Sequence, residues 1–386
     1  MAGWGLVKVA MLTDCYPPRL GGIESQVRDL SRELVRAGHR VEVFTATAGP
    51  QGEGGGNTTD GEDGVTVHRL AIPLPGGIPV NPFAPREVRH RLAAGGFDVA
   101  HAHLGVVSPF ATDLVPVALD AGLPVTATFH CVIARSVGVF RVVGHLSRWA
   151  ARGVALNAVS TMAAARVAEA ARGAEVEVVP NGVDAAWWRP AGGVRPEEAD
   201  TRHPGVHVVS AMRLVSRKRP VVTLDVLRGA RAILDPAVPL RATIVGEGPR
   251  RRMMERHLRH RDLGWVSLPG RVDKEALRRL HHDADIYLTA ARLEAFGIAP
   301  LEARAAGVPV VAPRGTGVDD FVVDGVDGLL ADSDVELVGA LAHLAGDSAL
   351  RTTMRRHLLD TPPAQDWSGV LAATLAEYRR AGARTP

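Results

Sequence analysis

Residues 294–312 of this 386-residue chain read EAFGIAPLEARAAGVPVVA. The first half predicts a short, mostly apolar helix over Ile298–Ala306, which Gly307 ends as a C-terminal cap. A buried strand is predicted directly afterwards, over Val308–Val311. A helix followed at once by a buried strand is the repeating unit of a parallel α/β sheet, so this stretch indicates the fold class.

Two carboxylates bracket the start of that helix in a Glu-x₇-Glu spacing. Glu294 is predicted at the end of a loop and Glu302 inside the helix, with Phe296-Gly297-Ile298 at the helix start. A helix start offers free backbone N–H groups and a partial positive charge, which suit phosphate. The pattern therefore suggests a site for a molecule that is a hydroxylated sugar at one end and a phosphate at the other.

The N-terminal half alternates buried strands with amphipathic helices, as a parallel sheet covered on both faces requires. A helix is predicted over Ser25–Ala37 and a polar loop over Gly49–Gly64. The predicted strands are Val7–Leu12, Val41–Thr45, Val65–Leu70, Val99–His101, Val125–Phe129, Leu156–Val159 and Val176–Val179.

A Pro- and Gly-rich segment at 190–205 interrupts the rhythm and predicts a linker. It separates a first domain at 1–189 from a second at 206–365, and a last helical segment at 366–386 follows. The second domain has its own predicted strands, which are Val206–Ser210, Ala242–Val245, Val266–Leu268, Ile286–Leu288 and Val308–Val311. Ligands gather at the carboxyl ends of parallel strands, so we expect two sheets facing each other across a substrate cleft.

Composition narrows the function classes. Hydrophobic residues make up 46% and charged residues 23%, which is typical of a globular protein. A net charge of +3 (45 minus 42) and only 4% aromatic residues argue against nucleic acid as a partner. Two distant cysteines, no signal peptide and no apolar run of ~20 residues predict a cytoplasmic protein, soluble or peripheral to the membrane.

Lysine is rare in this chain, because only Lys8, Lys218 and Lys274 are lysines and the other 42 basic residues are arginines. Lys218 and Arg213 follow the first strand of the second domain, where ligands gather. Two cations there would bind a diphosphate and stabilise it as a leaving group, although a solvated basic loop is the alternative. Their neighbours Arg217 and Arg219 are expected to be solvated.

Two glycine turns are further candidates, Gly21-Gly22-Ile23-Glu24 and Gly246-Glu247-Gly248-Pro249. Both would let backbone approach a ligand, and both could equally be ordinary turns. Neither is the G-x-G-x-x-G fingerprint, so NAD is disfavoured.

The histidines allow several interpretations. His130 ends a predicted strand and is a candidate sugar contact, with a structural role as the alternative. His101 and His103 lack a third ligand at suitable spacing, so no metal site is predicted. His281-His282 is expected on an exposed helix face.

Taken in order and spacing, these motifs resemble the retaining glycosyltransferases of family 4, which have the GT-B fold. The resemblance covers nearly the whole chain. It rests on residues 294–303 and 306–312, Pro180-Asn181-Gly182-Val183-Asp184, Arg213 with Lys218, Gly246-Glu247-Gly248-Pro249, Pro269-Gly270-Arg271-Val272, and Pro17-Pro18 with Gly21-Gly22-Ile23-Glu24.

The resemblance implies two Rossmann-like domains, the first for the acceptor and the second for a nucleotide-sugar donor, with the last helix returning to the first domain. Arg213 and Lys218 would hold the donor diphosphate, and Glu294 would bind hydroxyls of the transferred sugar. The amides of Phe296-Gly297-Ile298 would meet sugar or phosphate, and Gly22 would approach the phosphates.

The remaining donor contacts are also carried over from the family. Glu302 would bind the ribose, the backbone near Arg271 and Val272 would face the base, and Gly246 belongs to the donor site. His130 matches the strand-end histidine that contacts the sugar. The expected catalytic group is Arg213, Lys218, Glu294 and His130.

The implied reaction is transfer of a hexosyl group (mannose, GlcNAc or glucose type) from a UDP- or GDP-sugar with retention of configuration. The nucleotide sugar is a co-substrate, and neither a metal nor another cofactor is obligatory. Leu293 stands at a position that varies in the family, and Cys131 stands where a small hydroxyl residue is common. These two residues leave open which donor is used and how the acceptor or sugar is bound.

The acceptor is least defined by sequence. A basic amphipathic stretch at 135–152 would suit an anionic membrane, or it could be a core helix with a solvated face. The acceptor is thus either lipid-linked or a small polyol or sugar, and contact with the inner membrane face is left open. Two other classes stay in view, a GT-B-like sugar-nucleotide epimerase and a non-catalytic nucleotide-sugar-binding protein. The stretch consists of Arg135, Arg141, His145, Arg148 and Arg152 around Val139, Phe140, Val142, Val143, Leu146 and Trp149.

Overall fold

The computed structural model describes residues 5–19, 21–55, 57–60, 62–72, 80–133, 137–191, 205–261 and 263–383. The chain divides into two compact units. Unit 1 consists of Met1–Gly182 together with Trp367–Pro386, and unit 2 consists of Val183–Asp366. Most of the predicted linker at 190–205 lies outside the described residues.

Unit 1 is built on one twisted sheet with the strand order β3-β4-β2-β1-β5-β6-β7-β8. Neighbouring strands pair in parallel throughout, except for the antiparallel pair β3 and β4. The strands are β1 (Lys8–Thr13), β2 (Arg40–Thr45), β3 (Asn57–Asp60), β4 (Thr66–Arg69), β5 (Val99–Leu104), β6 (Val125–Phe129), β7 (Ala155–Ala158) and β8 (Glu177–Val178).

Helices cover both faces of this sheet. Ala10 and Leu12 of β1 pack into one apolar cluster, whereas Val9 and Met11 pack into another, because successive strand side chains point to opposite faces. The helices between the strands are α1 (Gly22–Arg36), α2 (Ala84–Ala94), α3 (Pro109–Asp120), α4 (Val137–Val143), α5 (His145–Ala151) and α6 (Thr161–Ala170).

The loop predicted over Gly49–Gly64 is wrong in part. Residues Asn57–Asp60 form β3, which pairs antiparallel with β4 at the edge of the sheet. Polar, Gly-rich sequence carries little strand signal, and this strand exists because β4 offers it a free edge.

Unit 2 contains a wholly parallel sheet with the order β11-β10-β9-β12-β13-β14. Its strands are β9 (Val206–Ala211), β10 (Leu240–Val245), β11 (Val266–Gly270), β12 (Ile286–Leu288), β13 (Val310–Pro313) and β14 (Gly328–Ala331). Its helices are α7 (Ala185–Trp188), α8 (Pro220–Ile233), α9 (Arg251–His260), α10 (Lys274–His282), α11 (Ile298–Ala305), α12 (Asp334–Gly346) and α13 (Ser348–Asp360). The α/β class and the two Rossmann-like sheets are as predicted.

The division between the units differs from the predicted boundary at 189. The Val183 amide donates to the Gln365 carbonyl over 3.0 Å, and the Ala185 amide donates to the Asp366 carboxylate over 3.1 Å. These bonds join α7 to unit 2, so unit 2 begins at Val183. Contacts between residues about 180 positions apart cannot be read from local composition. The boundary predicted from the Pro- and Gly-rich segment therefore lies later in the chain than Val183.

The last helix, α14 (Trp367–Arg380), belongs to unit 1. Tyr378 is fully buried there, and its hydroxyl lies 3.0 Å from Nδ1 of His101. Arg380 donates to the Leu156 carbonyl over 2.6 Å. The helix therefore completes the core and the polar interior of unit 1.

A glycine turn after β10 packs backbone against the loop after β9. Gly246 has φ of 138°, and a Cβ there would overlap the carbonyl oxygen of Met212. The Leu214 amide donates to the Glu247 carbonyl over 2.9 Å, and the Arg250 amide donates to the Leu214 carbonyl over 2.9 Å. The turn thereby holds the loop that carries Arg213.

We predict that Gly246→Ala lowers the free energy of unfolding by about 2–3 kcal/mol, because it adds both backbone strain and a steric overlap. Gly264→Ala is the matched control in unit 2, since a Cβ there meets no atom within 4 Å. Urea unfolding should show a change within about 0.5 kcal/mol for the control. Equal stability of the two variants would contradict the structural role of Gly246.

Candidate functional site

Most of the predicted donor residues of unit 2 lie in loops at the carboxyl edge of its parallel sheet, whereas Ile298 begins α11 and Glu302 lies inside it. Glu294 lies in the loop between β12 and α11, and Gly297 caps α11 in the left-handed conformation with φ of 100°. The Gly317 amide donates to the Glu294 carbonyl over 2.9 Å. A Cβ on Gly317 would overlap the backbone of Ala295 and Phe296, so close backbone packing fixes this loop.

This helix start has the features of an anion site. Gly297 provides no side-chain cap, so the first amides of α11 keep their hydrogen-bonding capacity for a ligand. Phe296 is buried with 2% exposure, and its ring lies 5.3 Å from the ring of Phe321. Ile298 is half-buried. The three predicted amide donors thus occupy a rigid turn.

The structure brings together two of the predicted catalytic residues. Lys218 forms an ion pair with Glu294, and both side chains are largely buried. Arg213, from the same loop as Lys218, is exposed, and no ion pair is found for it among the described residues. Both cations therefore lie on the loop that follows β9, and the carboxylate of Glu294 lies on the loop that follows the adjacent strand β12.

Tyr287 feels the charge of both glutamates, and sequence reasoning missed it. Its hydroxyl donates to the Ala211 carbonyl at the end of β9 over 3.0 Å. Burial raises the pKa of this hydroxyl, and the charges of Glu294 and Glu302 raise the pKa further. The tyrosine therefore stays protonated and ties β12 to β9 beside both carboxylates. A Tyr within a buried strand carried no sequence signal beyond its β propensity.

The expectation that Arg219 is solvated is wrong. Its guanidinium binds Asp334 with two hydrogen bonds of 2.9 and 2.6 Å and donates to the Ala290 carbonyl over 3.2 Å. The bonds from Arg219 lower the pKa of Asp334. Arg219 therefore fixes the start of α8 behind the Lys218 loop, while Arg217 is exposed as expected.

The predicted base-binding segment follows β11. Gly270 accepts a bond from the Gly246 amide over 2.8 Å, which joins the loops after β10 and β11. Arg271 is exposed, and Val272 lines an open depression together with Pro269. The predicted segment therefore borders an open depression.

Two of the predicted donor contacts, Gly22 and His130, belong to unit 1. Gly22 is exposed and begins α1, whose cap Gly21 makes no side-chain hydrogen bond. Nearby Asp14 accepts from the amides of Phe110 and Ala111 over 3.0 and 3.2 Å and caps α3. Burial raises the pKa of Asp14 to about 6 against these bonds.

His130, at the end of β6, lies in a cluster of histidines. Its Nδ1 lies 3.2 Å from Oδ1 of Asn181, and its Nε2 lies 3.0 Å from Nδ1 of His103. His101 contacts Thr128 over 2.7 Å through Nε2. Burial lowers the pKa of His130 to about 4 and that of His101 to about 3, and it holds the pKa of His103 well below its usual range.

These histidines do not form a metal centre. Within the described part of the chain, no group of three or more His, Cys, Asp or Glu side chains could hold an ion. Each ring is instead engaged by neighbouring protein groups. His101 is also bonded to Tyr378, so the cluster extends to the last helix.

The expectation that His281 lies on an exposed face is wrong. It is fully buried, with ring centroids 5.4 Å from Trp188 and 5.8 Å from Tyr287. Its neighbour His282 bonds the Trp188 carbonyl over 2.7 Å. Both histidines therefore fasten α7 to α10, a contact that helical periodicity alone could not reveal.

The basic stretch at 137–152 forms α4 and α5, and Arg135 lies outside the described residues. Leu146 and Trp149 are buried, whereas Val139 and Val142 are 65% and 86% exposed. The stretch is therefore neither a simple core helix nor fully solvated. No helix in the described ranges is long and apolar enough to cross a bilayer.

Solved structures resemble the whole chain. Anabaena HepE in complex with UDP and glucose aligns with a TM-score of 0.74 at 18% identity, covering 96% of this chain and 99% of that chain. WaaG, a glycosyltransferase involved in lipopolysaccharide biosynthesis, aligns with a TM-score of 0.69 at 17% identity, covering 97% and 100%. The fold is that of the GT-B glycosyltransferases.

Sequence comparison makes the assignment specific. A model described as Glycosyltransferase Family 4 matches residues 20–187, and one described as Glycosyl transferases group 1 matches residues 198–357. A GDP-mannose-dependent alpha-(1-6)-phosphatidylinositol monomannoside mannosyltransferase of Mycobacterium tuberculosis is 31% identical over 97% of this chain and 98% of its own length. The chain therefore belongs to glycosyltransferase family 4 and is a glycosyltransferase.

Two further relatives span comparable lengths. The phosphatidyl-myo-inositol mannosyltransferase of Mycolicibacterium smegmatis is 30% identical over 93% of this chain and 90% of its own. The D-inositol 3-phosphate glycosyltransferase of Pseudarthrobacter chlorophenolicus is 29% identical over 94% of this chain and 90% of its own.

The buried histidines predict acid sensitivity. As pH falls below about 6.5, the unfolded chain binds protons that folded His101, His103 and His130 exclude, so stability falls by up to about 1.4 kcal/mol per pH unit for each ring. Asp14 acts in the opposite direction, because its folded pKa of about 6 lies above the unfolded value of 3.8. The three histidines outweigh it.

Urea unfolding of His101→Gln between about pH 7 and pH 5 should show a pH slope shallower by about 1 kcal/mol per unit than the unchanged protein. His90→Gln, at an exposed position of α2, is the control and should keep the original slope. Identical slopes for all three proteins would show that His101 does not exclude the proton.

Proposed function

We propose that this glycosyltransferase moves a hexosyl group from a nucleoside diphosphate sugar to an acceptor hydroxyl with retention of configuration. The observation that carries the proposal is the ion pair of Lys218 and Glu294 beside the uncapped start of α11. It joins a phosphate-binding cation, a sugar-binding carboxylate and free amides on adjacent loops of one sheet edge.

The donor diphosphate takes the place of Glu294 as a partner of Lys218, and Arg213 adds a second cation. Charge that develops on the departing diphosphate is then stabilised by these groups and by the α11 amides. Glu294, relieved of its ion pair, accepts hydrogen bonds from the sugar hydroxyls. Neither glutamate is assigned as a nucleophile, and no obligatory metal is invoked.

Glu302, one helical turn into α11, binds the ribose in this proposal, and the segment at Arg271 and Val272 borders the base. The support is that Glu302 is half-buried and that its charge raises the pKa of the Tyr287 hydroxyl. Contacts from Gly22 and His130 to the donor stay predictions. The named donor of the 31% identical relative makes GDP-mannose the first candidate, with UDP-sugars second.

For the acceptor we favour an inositol-containing lipid, reached by peripheral contact with the cytoplasmic membrane face. The supporting observations are the names of two relatives and the exposed valines of α4 beside exposed Arg141 and Arg148. Apolar side chains flanked by arginines suit an anionic bilayer surface. A small acceptor such as an inositol phosphate is the second candidate, supported by the name of a third relative.

Mutation of the ion pair tests the site. Lys218→Ala removes a diphosphate ligand and should lower kcat by about 10²-fold or more, and Glu294→Ala should lower kcat comparably because the sugar loses its hydroxyl partner. Arg217→Ala, an exposed neighbour, should retain full activity. Activity is measured as release of nucleoside diphosphate in the presence of acceptor. Full activity in either site variant would contradict the assignment of Lys218 and Glu294 to the donor site.

Thermal unfolding tests the donor class. A true donor binds only the folded protein and should stabilise it by about 2.7 kcal/mol at a concentration of 100 times Kd. We expect GDP-mannose or a UDP-hexose to raise the Tm and to lose this effect in Lys218→Ala. If none of them raises the Tm, the donor site is wrong. Donor binding without acceptor-dependent turnover would favour the epimerase or the non-catalytic alternative.

A further inference from the structure

The imidazole of His130 is held on both sides by protein groups. Its Nδ1 lies 3.2 Å from the side-chain oxygen of Asn181, and its Nε2 lies 3.0 Å from Nδ1 of His103. All three residues belong to unit 1. Both ring nitrogens are therefore engaged within unit 1, at a residue for which the sequence suggested a sugar contact, with a structural role as the alternative.

The partners determine where the protons are. An amide oxygen only accepts, so Nδ1 of His130 carries the proton and donates to Asn181. Nε2 of the neutral ring is then a lone pair, which accepts from the Nδ1–H of His103. Nε2 of His103 also lies 3.3 Å from the sulfur of Met11, but a thioether is a much weaker acceptor than an amide oxygen. The bond to Asn181 therefore sets the direction of the chain, from His103 through His130 to Asn181.

Asn181 is itself held rigidly. It is 7% exposed, and the backbone of the next residue, Gly182, is bonded on both sides by Gln26. Nε2 of Gln26 donates to the Gly182 carbonyl over 3.0 Å, and the Gly182 amide donates to Oε1 of Gln26 over 2.8 Å. A Cβ on Gly182 would meet the ring of Trp367 at 2.5 Å. The backbone next to Asn181 is therefore fixed, and its side-chain amide can orient the imidazole of His130.

We propose that Asn181 is a positioning residue that fixes the Nδ1–H tautomer and the orientation of His130. This inference rests on the proposed function, because it defines what His130 offers at the end of β6. A ring whose two nitrogens are used internally offers a sugar a fixed neutral surface, with neither nitrogen left to donate or accept. Its role would be to shape the surface at the end of β6.

Two substitutions at Asn181 separate this role from simple packing. Asn181→Leu removes the acceptor and so removes the preference for the Nδ1–H tautomer. Asn181→Asp keeps the shape but places a carboxylate at Nδ1–H, which favours the imidazolium. Thr374→Val is the matched control, because Thr374 lines the same small cavity and its hydroxyl has no hydrogen-bond partner among the described residues.

Nitrogen NMR of protein labelled in the histidine rings reads the tautomer directly, with the His130 signal assigned by its loss in His130→Gln. We expect the Nδ1–H pattern in the unchanged protein and in Thr374→Val, constant from about pH 8 to about pH 5. Asn181→Leu should shift the signal toward the Nε2–H pattern, and Asn181→Asp should show an imidazolium that persists to higher pH.

An Nε2–H pattern in the unchanged protein, or an unaltered pattern in Asn181→Leu, would overturn the proposal. This readout needs no turnover, so it stands even if no donor is accepted and the proposed function fails. Where transfer is measured, Asn181→Asp should add an ionisation to the pH profile of kcat/KM that the unchanged protein and Asn181→Leu lack. Absence of that ionisation would show that His130 is remote from the reacting sugar.

Discussion

The candidate donor site depends on one close backbone contact, between Gly317 and the peptide of Ala295 and Phe296. This contact leaves no room for a side chain, and it fixes the loop that presents Glu294. Gly297 then turns the chain through a left-handed conformation into α11. Arg304 of that helix forms a buried ion pair with Asp327 over 3.2 Å. Breaking a buried ion pair by removing one partner costs several kcal/mol, so this pair fixes the position of α11.

A division of labour follows among residues that look alike in sequence. The loop after β9 carries cations with different surroundings. Arg219 binds Asp334, Lys218 forms an ion pair with Glu294, and Arg213 faces solvent. Of the glycines, Gly246 permits backbone packing of two loops, whereas Gly297 turns the chain into α11 without a side-chain cap. Some residues of the candidate donor motif therefore support the fold and others are left for a ligand. Loss of activity after a substitution does not by itself distinguish these two roles.

The sequence predicted what local patterns determine. The strands Val125–Phe129 and Ile286–Leu288 are found with the predicted bounds, because each is a short apolar run between turns. The pairing of Lys218 with Glu294 was anticipated only as two residues of one site. Bonds between distant segments escaped prediction, among them Arg219 to Asp334 and His130 to Asn181. No periodicity encodes such partners, since they are brought together by the order of strands in the sheet.

The placement of α14 has a consequence for how the chain is made. Tyr378 and its neighbours fill the interior of unit 1, although some 180 residues of unit 2 are translated between them and the rest of that unit. Unit 2 is complete in sequence once Asp366 has left the ribosome. Unit 1, whose synthesis begins first, is therefore completed last. Until α14 has been synthesised, His101 lacks its hydrogen-bond partner Tyr378.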